Sequence, residues 1–156
     1  MRIIPLLILL AFLFTACDKG KVYQKRYKMD KNSWKRVNSE LLFEVDIQDT
    51  AALYDIDLEI RHADFYPYEY IDIGFNIYYP GDEEHLTAPR IFLRDKDGAF
   101  KGKGSGEIWD FTYPIRREMS FPERGVYTIE VCNYTGSNFV LPGIMEIGLI
   151  VRKTKR

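Results

Sequence analysis

Apolar and polar residues alternate over five or more positions in several runs, clusters of turn-forming residues separate those runs, and aromatics make up 15% of the chain. A period of two is the strand signature, and no helical apolar period of useful length follows residue 40. Repeated short strands of this kind bury their apolar faces against one another in two layers. The predicted fold is therefore all-β, a single antiparallel β-sandwich of Ig-like or jelly-roll-like form.

Three strands are written most clearly. Leu41, Phe43, Val45 and Ile47 share one face, opposite Leu42, Glu44, Asp46 and Gln48. Tyr54, Ile56, Leu58, Ile60 and His62 alternate with Asp55, Asp57, Glu59 and Arg61, and Ile71, Ile73, Phe75, Ile77 and Tyr79 alternate with Asp72, Gly74, Asn76 and Tyr78. Shorter strands are predicted at Arg90–Arg94, Ile108–Tyr113, Val126–Cys132 and Ile144–Val151. Pro80-Gly81-Asp82 closes the third strand, Asp95-Lys96-Asp97-Gly98 reads as a hairpin, Gly102–Gly106 reads as a flexible loop, and Pro142-Gly143 opens the last strand.

The opening residues have a different character. Arg2, the apolar run Ile3–Phe14 and the small pair Thr15-Ala16 form the three parts of a secretory signal. The apolar run is too short for the roughly 20 residues that a membrane-crossing helix needs. Phe14-Thr15-Ala16-Cys17 resembles the bacterial lipobox, so Cys17 is expected to be lipidated and to head the mature chain. The chain then divides into a signal peptide (1–16), the lipidated Cys17 with a basic tether (17–36), and a β-sandwich domain (37–156). Cys132 is the only other cysteine and lies in an apolar-rich run, which reads as a buried, inert thiol.

Charge is split along the chain. Residues 17–36 carry eight basic and two acidic side chains, a net +6, whereas residues 37–156 carry a net −8. The basic segment would suit anionic lipid head groups or serve equally as a solvated tether. Its aromatics Tyr23, Tyr27 and Trp34 offer another reading, in which it forms the first, edge-pairing strand of the domain. The acidic balance of the remainder argues against nucleic-acid binding.

No catalytic constellation is present in the sequence. His62 and His85 have no partners at metal-ligand spacing, and His62 extends the apolar face of its strand, as a structural histidine would. Asp82-Glu83-Glu84 reads as a solvated face, and Asp95–Gly98 as a turn rather than a calcium loop. Neither a metal nor a cofactor is expected. The most unusual stretch is Asp64-Phe-Tyr-Pro-Tyr-Glu-Tyr70, whose Phe65, Tyr66, Tyr68 and Tyr70 either form a partner-binding loop or cap one end of the core. Asp49-Thr50-Ala51 looks like an O-glycosylation sequon of exported proteins in Bacteroidota, with Thr50 as acceptor.

Four stretches carry a family resemblance: Tyr54–His62 with Tyr66-Pro-Tyr68, Gly98–Gly104, Gly125–Val131 and Leu141–Leu149. Together with the lipobox and the Trp-bearing segment after it, they resemble the gliding-motility lipoprotein GldH family of Bacteroidota over nearly the full length. The resemblance implies a non-enzymatic cell-envelope lipoprotein associated with the gliding machinery, which is linked to type IX secretion. It implies no catalytic or ligand-binding residues. The function expected is an envelope-anchored interaction or assembly module, held at a membrane by its lipid and meeting other envelope proteins. A glycan-binding lipoprotein is the alternative, because aromatics on a sandwich can stack on sugars.

Overall fold

The computed structural model describes residues 20–80, 84–136 and 140–155; the signal segment, Cys17 and Asp82-Glu83 lie outside them. The described strands are β1 (Lys21–Lys28), β2 (Ser33–Lys35), β3 (Leu41–Ile47), β4 (Tyr54–Ala63), β5 (Tyr70–Tyr78), β6 (Glu84–Thr87), β7 (Arg90–Phe92), β8 (Lys103–Ser105), β9 (Ile108–Met119), β10 (Gly125–Asn133), β11 (Val140–Pro142) and β12 (Ile144–Lys153). They form an antiparallel β-sandwich. One sheet has the order β1-β12-β4-β9-β8, the other β3-β10-β5-β6 with β7 also on β5, and β11-β2 make a short ribbon. The main strands pair from the outside inward: β1 with β12, β3 with β10, β4 with β9 and β5 with β6. This is one long hairpin rolled into two layers, the jelly-roll form.

The alternating runs supply the inner faces. Phe43, Val45 and Ile47 of β3 meet Ile56, Leu58 and Ile60 of β4, and Ile71, Ile73, Phe75 and Ile77 of β5 complete the layer, all essentially inaccessible. Aromatic clusters plug both ends. At one end Phe121 stands edge-on to Tyr54 (5.3 Å) and Tyr127 (4.6 Å). At the other, the His62 ring packs beside Phe100 (4.6 Å) and Tyr66 (5.7 Å).

The segment expected as a tether is folded from Gly20 onward. Tyr23 and Tyr27 turn inward onto Phe43, and the Tyr27 hydroxyl donates to Leu42 O (2.6 Å), so β1 closes the side of the sandwich against β3. Trp34 of β2 is 2% exposed and donates its indole N–H to Ser39 O (3.2 Å). The edge-strand reading therefore describes these residues. Its signal in the sequence is faint because an edge strand turns only two of eight side chains inward, and the outward ones are the charges that made it look like a tether. The expected loop at Gly102–Gly106 likewise contains a strand, with Lys103–Ser105 paired to Asp110–Ile108. The strand predicted at Ile108–Tyr113 runs on to Met119, past Pro114 and a bulge where Glu118 has φ +50°.

Burial of Trp34 sets an expectation for stability. Trp34→Ala should cost about 3–5 kcal/mol in urea unfolding, as large core truncations do. A chain in which residues 17–36 merely tether the domain would lose almost nothing.

Candidate interaction surface

The loop between β4 and β5 divides its aromatics between core and solvent. Tyr66 is 0% exposed: its ring lies against Tyr68 (5.6 Å) and His62, and its hydroxyl donates to Tyr70 O (3.0 Å). Burial pushes the Tyr66 phenol well above its ordinary pKa. Tyr66 is therefore a core plug and is removed from the set of partner-binding residues, while Tyr68 packs half-buried beside it. Phe65 points outward at 64% exposure, its ring resting on Gly143. Gly143 has φ +87°, and a Cβ there would crowd Phe65 and Tyr66.

Tyr70 belongs to a different constellation. The Arg90 guanidinium sits 4.0 Å from the Tyr70 ring centre, held there by a two-pronged bond to Asp72 (2.8 and 3.0 Å). The Phe92 ring lies 6.0 Å from Tyr70, 49% exposed, with Lys101 Nζ 6.0 Å from its centre. Tyr70, Phe92, Arg90 and Lys101 thus make a cationic-aromatic patch near the end of the sandwich that carries Phe65. Arg90 and Phe92 were not singled out from the sequence. The available signal was phase: Phe92 stands between the inward Ile91 and Leu93, so it must point out.

The outer face of the β1-β12-β4-β9 sheet is occupied by its own ion pairs. Arg26 reaches across β12 to Glu59 (2.6 and 2.9 Å), and Arg61 grips Asp110 (2.8 and 3.0 Å) and approaches Glu146 (3.4 Å). Arg117 and Arg152 both bond to Asp57. Gly148 makes this possible, since a Cβ at that position would fall 2.7 Å from Arg26 Cγ. Burial works against ionisation of Glu59, but hydrogen bonds from Arg26 and Gln24 outweigh it and hold the carboxyl below the usual range; Arg61 does the same for Asp110. The cavity between these groups is ≈ 20 Å³, room for about one water.

The remaining residues singled out in the sequence are scattered. His62 is fully buried, its Nδ1 2.9 Å from Ala63 O, and its Nε2 has no hydrogen-bond partner. Burial holds its pKa below the ordinary value, with the Ala63 carbonyl opposing. Cys132 is half-buried on the outer face, where burial raises its thiol pKa. Thr50 is exposed in the turn between β3 and β4, beside an Asp49 carboxylate that accepts from Ala51 N (3.1 Å) and Lys153 Nζ (2.6 Å). Among the described residues no three His, Cys, Asp or Glu side chains gather as metal ligands would.

The described residues thus form a jelly-roll β-domain with an ion-paired face and a separate cationic-aromatic patch. Comparison with known proteins gives the family. The model of the GldH lipoprotein family matches residues 21–151. A relative called "Gliding motility lipoprotein GldH homolog", from Christiangramia forsetii, is 24% identical over 135 residues, covering 86% of this chain and 82% of that protein. "Gliding motility lipoprotein GldH" of Flavobacterium johnsoniae is 22% identical over 139 residues, covering 89% and 85%. The chain belongs to the GldH lipoprotein family. Lipoproteins are held at membranes by their acyl chains.

The division of the loop has a measurable signature. Tyr66→Ala should cost about 3–5 kcal/mol, whereas Phe65→Ala should stay within about 0.5 kcal/mol of the parent in the same urea titration. His62 sets a pH dependence. Folding favours its neutral form, so its contribution is intact above an unfolded-state pKa of about 6.5 and is lost as pH falls below that value. The urea midpoint should therefore decline from pH 7 to pH 5, and His62→Phe should flatten that decline. Loss from Glu59 and Asp110 belongs to a lower window, near the carboxylate range.

Proposed function

We propose that this protein is a membrane-anchored envelope lipoprotein that works without catalysis, as an interaction or assembly component of a gliding machinery linked to type IX secretion. In this reading Cys17 carries the lipid, and the cationic-aromatic patch with Phe65 is the contact for another envelope protein. The observation that carries it is the preordered Tyr70–Arg90–Phe92 group. Asp72 fixes Arg90 before any partner arrives, so little side-chain entropy remains to be lost on binding. Aromatic and Arg side chains are also those that dominate interface energies. Family membership and the names of both relatives support the gliding context. The glycan reading fits less well, because Arg90 already covers the Tyr70 face on which a sugar would stack.

The test is cross-linking of the tagged lipoprotein in intact envelopes, followed by mass spectrometry. Phe65→Ser with Phe92→Ser should remove the recovered envelope proteins while leaving the urea midpoint unchanged. Full recovery of the same set by the double variant would sink the patch as the contact. Retention on a glycan array, abolished by the same double variant, would favour the alternative.

A further inference from the structure

Where the chain enters the sandwich decides how the domain sits on a membrane. Gly20 O accepts from Lys153 N (2.8 Å) and Lys21 is in register with Arg152, so the chain is fixed to the sheet from residue 20. Cys17 is three residue steps earlier, and three steps reach about 11 Å at most. A leaflet's polar layer is itself roughly 5–7 Å deep. A lipid on Cys17 therefore leaves no length for a stalk.

The topology identifies what lies at that end. Strand β4 starts there, with Tyr54 opposite Lys153, and the 48–53 turn joins it through Thr154 N to Leu53 O (2.8 Å). Glu118 and the start of β10, where Gly125 is paired with Ile47, belong to the same end. The opposite end carries Ala63, the 64–69 loop and the Asp95–Gly98 hairpin, since Leu93 N donates to Glu69 O (2.8 Å). The ten residues of β4 separate the two ends by about 34 Å.

We propose that the sandwich stands directly on the lipid surface by the end bearing Gly20, the 48–53 turn and Lys153–Lys155, with the 64–69 loop and Phe92 at the far end. This rests on lipidation of Cys17. Cations at this end are engaged within the domain: Lys153 is paired with Asp49 (2.6 Å), and Arg152 and Arg117 both bond to Asp57. The covalent length sets the contact, so it should be indifferent to salt and to lipid charge. It also points the cationic-aromatic patch away from the bilayer.

The experiment uses the full lipoprotein in phosphatidylcholine vesicles that contain a lipid with a nitroxide on its head group. A fluorophore is placed at Lys155→Cys or at Lys96→Cys, each in a Cys132→Ser background; both sites are exposed. The Lys155 label should lose most of its emission and the Lys96 label should keep it, at low and high salt alike. Inserting twenty Gly/Ser residues between Lys19 and Gly20, a span of about 25 Å when flexible, should restore the Lys155 emission without releasing the protein. Equal quenching of both labels, or no effect of the insertion, overturns the pose. Mass spectrometry of Cys17 separates the premises: an unacylated Cys17 removes the anchor and the pose together, while an acylated Cys17 with two bright labels overturns the pose alone.

Discussion

The pairing of β1 with β12 is the constraint on which the rest of the molecule depends. It brings the first described residues onto the last strand, lays Tyr23 and Tyr27 over Phe43, and so joins the open edges of the two sheets. Without it, Phe43 and the flank of β3 would face water, and β12 would become an edge. The same pairing places Gly20 at one end of the sandwich, beside Lys153. The closure of the sandwich and the place where the chain enters it are thus set by a single ladder.

That ladder is also the most remote contact in sequence. In a chain rolled as one long hairpin, closing β5 on β6 costs the least loop entropy, β4 on β9 more and β1 on β12 the most, because loop-closure entropy grows with the separation of the partners. The outermost pair is held by few inward side chains. Arg26 compensates by lying across β12 onto Glu59, a contact that Gly148 alone leaves room for.

Legibility in the sequence followed the number of buried positions per strand. Strands β3, β4, β5 and β10 alternate over five or more residues and β12 is a short apolar run, and the structure reproduces each to within a residue or two. The first strand was obscured because six of its eight side chains point to solvent, so its composition matched that of a tether. Strand β8 was obscured because three residues cannot display a period, and two glycines beside it suggested a loop. In the 64–70 stretch, composition showed that aromatics cluster but not which way each faces. Tyr66 turns into the core beside His62 and Tyr68, and the partners of Tyr70 come from β7, some twenty residues away. Such juxtapositions belong to the fold and leave no mark in a single sequence.

Strand β8 covers only Ile108–Asp110 of β9, and Thr112–Arg117 carry the edge onward beyond it. Proteins held by one end on a bilayer share an orientation and are confined to two dimensions, so their edges meet repeatedly at matching heights. On β9 such encounters find Pro114, which has no N–H to offer, then Arg116 and Arg117 and the bulge at Glu118. On β1 they find a row of lysines. In the proposed pose, a lawn of these domains can therefore become crowded without annealing into a continuous sheet, and the far ends stay available to whatever they meet.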